Sequence, residues 1–567
     1  MALDDETVPL LSADEQDEQD QHGQPGPLAA SISSTTTTDT EQPKAVMMKL
    51  DSTHMNDPKA AVEVSAGEIG EQARLATNTE HSLSFADAIS LYRHAAFWAI
   101  FFCLGQMMTA FDPQVMGNLI AMPAFQHDFG YLFNGEYIIS APWQTGLMMG
   151  GPIGQVVGSL SAGYPLERWG RKKTLGVCVL GTIGCVFIQF FSQALPVLIV
   201  GELLAGLVLG FYAVITPAYA SEVCPVALRG ILTANINLFI VIGQLLANGV
   251  CAGTQSLNSR LAYKIPFALQ WLWPAVILLG LPFAPESPWW LVRQGKLAQA
   301  NKALRKLISA KADVEPTLAM VVKTNRIEVE MEAGSTYRDI FNKINRRRTE
   351  IATGVYTVQV FSGIYLIGYG TYFFEQAGLP SDKAFDMAVG FLAVGLFGTC
   401  LSWVLLIYLG RRIIYNVGLC ILIALLLIIG LLDCVPHLID YPGVIWTQSS
   451  LLIIWNFFYN LTIGPVGFTI LCEISATRVR GKTIAFATAV QAFVGIGMTI
   501  AVPYMINPDQ ANLRGKMGFF FGGLTLVCLF WAYFRIPETK GRTYEELDIM
   551  FERNIPTKEF RTYRLET

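Results

Sequence analysis

Long apolar stretches alternate with short polar ones from about residue 95 to residue 535. Each stretch approaches the roughly 20 residues that a helix needs to cross a hydrocarbon core about 30 Å thick. Lipid offers no partner for backbone N–H and C=O groups, so such stretches must fold as helices that bond internally. The pattern predicts an all-α membrane protein of twelve transmembrane helices, at 95–117, 141–163, 174–193, 195–219, 229–252, 265–284, 350–374, 386–408, 413–433, 445–471, 483–506 and 516–535. They form two six-helix halves, 90–284 and 349–536. The linker between them, 285–348, is rich in Lys, Arg and Glu and predicts short helices at the cytosolic surface.

The flanks read differently. Residues 1–85 are polar, with an acidic stretch from Asp4 to Asp20 and a nearly continuous Ser/Thr run at Ser31–Thr38. Such a segment buries too little apolar surface to offset its chain entropy and is expected to be disordered. It shows no early apolar core of a signal peptide. Residues 537–567 form a short C-terminal tail.

Basic residues set the orientation. Arg168, Arg171, Lys172, Lys173, Arg229, Arg411, Arg412, Arg478, Arg480 and Lys482 share one side, and the other carries fewer. The richer side is expected to be cytosolic, with both termini, in a plasma-membrane protein.

Composition agrees: 52% of residues are hydrophobic and 15% charged, against about 25% charged in soluble domains. The ten cysteines lie mainly in or beside the apolar runs without metal-ligand spacing and read as packing residues. No nucleophile–base set, metal cluster or phosphate loop is visible. The expectation is therefore no enzyme, no cofactor, no metal and no nucleic-acid partner, with the lipid bilayer as surroundings.

An internal repeat links the halves. Glu222 and Arg229-Gly230 follow the fourth span, and Glu473 and Arg480-Gly481 follow the tenth, 251 residues on. Pro285-Glu286-Ser287 and Pro537-Glu538-Thr539 follow the sixth and twelfth, 252 residues apart. Gly170-Arg171 and Gly410-Arg411 make a third pair. Parallel duplicated halves are the mark of an alternating-access carrier with its site between them.

Gly163–Lys173 resembles the loop signature of the major facilitator superfamily, and Pro285–Arg293 and Pro537–Gly541 resemble the sugar porter signatures. Pro217–Pro225, Ile265–Trp271, Trp289-Trp290 and Asn345–Thr349 are similar to the fungal maltose/α-glucoside permeases. The resemblance implies a secondary sugar transporter, with a maltose or α-glucoside cargo and proton symport by alternating access. It implies a cytosolic gate in which Arg168, Arg171, Arg411 and Arg412, at half-exposed helix ends, pair with Glu222, Glu286, Glu473 and Glu538 to clasp the two halves, helped by Arg229 and Arg480. At Ile407, the second loop copy lacks the acid that stands at Glu167 in the first.

Asp112, in the first span, is a functional candidate because an intramembrane carboxylate is costly without a cavity or partner; the matching aspartate in proton-coupled porters carries the proton. The bland alternative is a helix-end charge reaching water beside Pro113. Glu202 stands where many hexose–proton symporters have Arg, which leaves facilitated diffusion open. For the sugar, amides and aromatic faces point to Gln359, Ser362, Tyr365 and Tyr369 in the seventh span, Asn237 and Gln244 in the fifth, and Asn456, Tyr459, Asn460 and Phe468 in the tenth. Val360, Tyr365 and Phe468 depart from the hexose pattern, so a carrier for another small metabolite, or a sugar receptor that does not transport, stays open. Glycines every fourth residue, Gly146 to Gly158 and Gly206 with Gly210, predict close helix packing.

Overall fold

The computed structural model describes residues 66–563 except 121, 134–135, 258, 310–312, 331–335, 369–380, 437–440, 507–510 and 512. Twelve helical spans run through it: Arg93–Ile120, Ala141–Trp169, Arg171–Phe191, Leu195–Val223, Val226–Thr254, Leu261–Phe283, Arg346–Ile367, Ser381–Tyr408, Arg411–Leu432, Trp446–Ile474, Arg480–Ile506 and Met517–Arg535. Among the described residues, eleven helices are long and apolar enough to cross a membrane. The exception is the second span, Ala141–Trp169, whose six glycines, three prolines and two glutamines dilute its hydropathy.

Those glycines act as packing surfaces. The second and fourth spans press together along them. A methyl group on Gly158 would lie 2.7 Å from the Leu207 carbonyl carbon, and one on Gly210 would lie 2.6 Å from the Ser159 nitrogen. Backbone lies against backbone, so neither side can give way. Gly158→Ala is expected to destabilise the protein by about 1–3 kcal/mol through overpacking. A lowered melting temperature of the detergent-solubilised protein is the check; an unchanged one would show that the seam tolerates a side chain.

The halves meet along two equivalent seams, where the second span packs on the eleventh and the fifth on the eighth. Prolines interrupt several spans. Pro274 cannot donate to the carbonyl of Gln270, and the sixth span breaks there into Leu261–Leu269 and Leu272–Gly280. The tenth breaks at Thr462 (φ −123°, ψ −77°), ahead of Gly464-Pro465. The seventh breaks after Phe361, where Gly363 adopts φ +98°.

The linker forms Pro288–Arg293, Leu297–Leu307 and Glu315–Glu330 helices, on the side of the bundle that also holds the C-terminal helix Tyr544–Glu552. That last helix opens with a capping box between Thr543 and Glu546. Within the segment expected to be disordered, Ala66–Ser82 is a helix. Ala73 and Ala76 bury against Met320 of the linker, a tertiary partner that a polar tail read alone does not reveal. Residues 1–65 of that expectation lie outside the described residues. On the far side, Tyr131–Phe133 and Glu136–Ile138 pair as a small antiparallel hairpin.

Candidate functional site

Polar groups inside the bundle gather in three places. The first lies within the first half. Asp112 is 2% exposed, as is Glu202 of the fourth span. Gln189 of the third span donates its amide to both, at 3.1 Å to Asp112 and 2.8 Å to Glu202. Gln270, at the break in the sixth span, donates to the same Asp112 oxygen at 2.8 Å. The other oxygen, Oδ2, is buried and, among the described residues, accepts from no N–H or hydroxyl, while the Glu202 carboxyl lies within reach of the Asp112 carboxyl. Among the described residues, no Lys or Arg forms an ion pair with either acid. The first span therefore does not lift Asp112 to water beside Pro113. Two acids share one amide in a low-dielectric interior, where an uncompensated charge is expensive. Gln189 and Gln270 escaped notice in the sequence, although a glutamine inside an apolar run is the same kind of signal as Asp112.

The second place is the interface of the halves, at the helix breaks. Asn237 of the fifth span donates to Asn460 at 3.1 Å and to Thr399 at 3.2 Å, crossing from the first half to the second. Asn460 in turn donates to Asn456 Oδ1 at 2.9 Å, and Asn456 to the Phe391 carbonyl at 2.7 Å. Gln359 donates to the Gly464 carbonyl at 3.0 Å and accepts from Gln491 of the eleventh span at 2.9 Å. Ser362, Trp455 and Tyr459 are buried beside the seventh-span break, and among the described residues the Ser362 Oγ, Trp455 Nε1 and Tyr459 hydroxyl have no hydrogen-bond partner. Trp455 stacks on Tyr459 at 5.4 Å between centroids and abuts Gly363. Gln244 is half-buried. Tyr365 lies against Gly495, and Phe468 packs edge-on to Tyr356. Tyr369 lies outside the described residues. The structure thus joins Asn237, Asn456 and Asn460 in one chain and sets Gln359 beside the same break, and it adds Thr399 and Gln491.

The third place is the linker side. Arg171 pairs with Glu222 at 2.7 Å, and Arg293 joins the same oxygen at 2.9 Å. Ser287 donates to the other Glu222 oxygen at 2.6 Å. The second half repeats this set: Arg411 pairs with Glu473 at 3.0 Å, and Thr539 donates to Glu473. Glu286 accepts from the backbone nitrogen of Arg171 at 2.9 Å, and Glu538 from that of Arg411 at 2.9 Å. Each caps the start of a span, where backbone N–H groups and the helix dipole favour an anion. Burial pushes the Glu286 carboxyl above its ordinary range, against the pull of these donors and of Arg171. Gly170 permits this approach: its φ of +87° suits glycine, and a Cβ there would meet the Glu286 carboxylate at 2.5 Å.

These pairs differ from the expected gate in two respects. They join helices within a half, because the Arg starts one span and the Glu ends its antiparallel neighbour. They are also buried, not half-exposed. Arg168 and Arg412 do not join them; Arg168 donates to Tyr164 at 2.9 Å and Arg412 to the Tyr533 carbonyl at 2.7 Å. Arg229 and Arg480 lie against an aromatic ring, and among the described residues neither is within ion-pair distance of an acid, although Arg480 still acts on the Glu222 carboxylate. Their guanidinium carbons lie 3.6 Å and 4.0 Å from the centroid of Tyr544, a cation–π sandwich. Burial raises the Tyr544 phenol above its ordinary value while both guanidiniums pull the other way.

Other groups cross between the halves. Lys482 pairs with Glu167 at 2.5 Å, Arg293 donates to the Thr477 carbonyl, and Tyr544 donates to the Ser221 carbonyl at 2.8 Å. The Thr469 hydroxyl donates to the Gly230 carbonyl at 3.0 Å. The halves are therefore in contact on the linker side. By the repeat, the partners equivalent to Glu167 and Lys482 on the other seam are Ile407 and Ile231, so the ion pair has no counterpart there.

Residues 98–551 match the family model described as sugar (and other) transporter. The chain is 36% identical over 521 residues to maltose permease MAL31 of Saccharomyces cerevisiae, covering 90% of this chain and 84% of that one. It is 36% identical over 501 residues to the general alpha-glucoside permease of the same yeast, covering 86% and 80%. Among solved structures, the proton:xylose symporter XylE bound to 6-bromo-6-deoxy-D-glucose superposes with a TM-score of 0.68 at 20% identity, over 82% of this chain and 100% of that one. That likeness establishes the twelve-helix major facilitator fold.

Proposed function

From the premise that this chain belongs to the sugar (and other) transporter family, we propose that it carries an α-glucoside such as maltose with a proton, by alternating access. It is a multi-pass membrane sugar transporter. The observation that carries it is the amide chain from Asn237 to Asn460. It spans the two halves at the broken tenth span, where carriers with duplicated halves place their cargo. Carboxamides offer donors and acceptors to match sugar hydroxyls. The unpartnered Ser362, Trp455 and Tyr459 groups beside it supply more donors. Relatives named for maltose and alpha-glucosides favour that sugar class.

Asp112 and Glu202 carry the proton in this reading. With no cation beside them, a proton is the natural counter-charge for a buried acid pair. Asp112 also receives Gln270 from the sixth-span break, so a change in that break alters how Asp112 is solvated. The linker side is the cytosol of a plasma-membrane protein, following the excess of Lys and Arg there. On that side the Glu167–Lys482 pair, Arg293 and Tyr544 hold the halves together until the gate opens.

Two measurements test this. Cells lacking sugar carriers that express the chain are expected to accumulate labelled maltose, and a proton uncoupler is expected to stop accumulation. No uptake of any α-glucoside sinks the cargo; accumulation indifferent to the uncoupler sinks the coupling. For the gate, Glu167→Lys is expected to slow uptake several-fold by setting like charges together, and the swap Glu167→Lys with Lys482→Glu to restore much of it. A double variant no better than the single one would show that the pair does not act as a clasp.

A further inference from the structure

Away from the linker side, a second set of amides remains unused by the reading above. Asn248 Oδ1 accepts from Gln114 at 2.9 Å and from Asn118 at 2.7 Å. Gln114 and Asn118 stand one helical turn apart on the first span, just past Pro113. Asn248 lies on the fifth span with Asn237 and Gln244. Steps of seven and eleven residues bring the three to within about 20° of one line along the helix. Leu246, Gly249 and Gly253 mark the exposed face of that span, and they point the opposite way. The amide line therefore faces the interior. Gln244 stands about 10 Å and Asn248 about 16 Å from Asn237 along the axis, a reach longer than one pyranose ring.

These amides are not consumed by one another. Each carboxamide has two donors and a two-lone-pair acceptor. Among the described residues, Asn248 Nδ2 and Gln114 Oε1 have no hydrogen-bond partner, yet neither is a fully buried orphan. Gln114, Asn118 and Gln244 are half-buried. Leaving these four amides at this depth is costly unless something polar meets them.

We infer that Gln114, Asn118, Gln244 and Asn248 form an outer subsite for a second sugar ring. One ring of an α-glucoside sits at the Asn237–Asn460 amides, and the next extends along the fifth span toward the far side. The inference rests on the α-glucoside reading and adds its length selectivity: the site prefers two linked rings to one.

The test compares maltose with methyl α-glucoside, which keeps the α-linkage and has a single ring. Transport KM is measured for maltose, and methyl α-glucoside is used as competitor, in the intact chain and in Gln114→Leu, Asn118→Leu and Asn248→Leu. Surface abundance is read from a fluorescent fusion. The ratio of maltose KM to methyl α-glucoside inhibition constant is expected to rise about tenfold, the usual effect of losing a hydroxyl partner. Gln114→Leu preserves the Asn118–Asn248 bond and carries the test if Asn248→Leu fails to reach the membrane. A ratio within twofold of the intact chain's overturns the outer subsite, as does a parallel loss of affinity for both sugars, which marks a structural role. An intact chain that moves or binds neither sugar overturns the parent reading and this one together.

Discussion

Asparagine in place of Asp112 is expected to end accumulation of sugar against its gradient, so that the internal level rises only to parity with the external one. The substitution keeps shape and keeps an oxygen to accept from Gln189 and Gln270. It removes only the ability to take up and release a proton. Downhill exchange should survive, and uncoupler sensitivity should disappear. Glu202→Gln is expected to act in the same direction, since Gln189 ties the two acids together. Counterflow in proteoliposomes separates the outcomes. Concentrative, uncoupler-sensitive transport in the Asp112→Asn variant would end the assignment of the proton to this pair.

Glu222→Ala is expected to cost about 3–5 kcal/mol, the usual consequence of removing one partner from a buried ion pair. Arg171 is 2% exposed, and without Glu222 its charge has no anion at this distance. Arg293 and the Ser287 hydroxyl lose the same acceptor. Glu222→Gln keeps the shape and part of the hydrogen bonding, so its loss should be smaller. Replacing both Arg171 and Glu222 with apolar residues of similar volume should recover much stability, because the desolvation penalty goes with the charges. Melting curves of the solubilised protein rank the three variants. A Glu222→Ala protein melting with the intact chain would show that the pair contributes specificity and no stability.

The loops illustrate how a sequence signature and its physical role can separate. The Arg–Glu spacing in both halves was visible in the chain, and the structure forms the Arg171–Glu222 and Arg411–Glu473 pairs. Each pair joins helices within one half, where pairing across the two halves was expected. The groups that bridge the halves come from segments far apart in sequence: Arg229 and Arg480 belong to the repeat, but nothing in the repeat shows that Tyr544 lies between them or that Lys482 meets Glu167. The interior amides fared similarly. Asn237, Asn456, Asn460 and Gln359 stood out as polar residues in apolar runs, yet which ones meet depends on how two halves close over a broken helix.

The spans, the duplication, the family and the polar residues inside the apolar runs were all legible in the chain. Lipid imposes the spans and the inward-facing polar residues through rules that act locally, since backbone groups must bond within the helix and polar side chains must turn from the hydrocarbon; the repeat and the loop signatures carry the duplication and the family. The pairings came from the folded arrangement, because contacts between helices depend on register and approach. The glycine seam of the second and fourth spans, the break that swings Gln270 onto Asp112, and the docking of Ala66–Ser82 on the linker are all set by which surfaces meet.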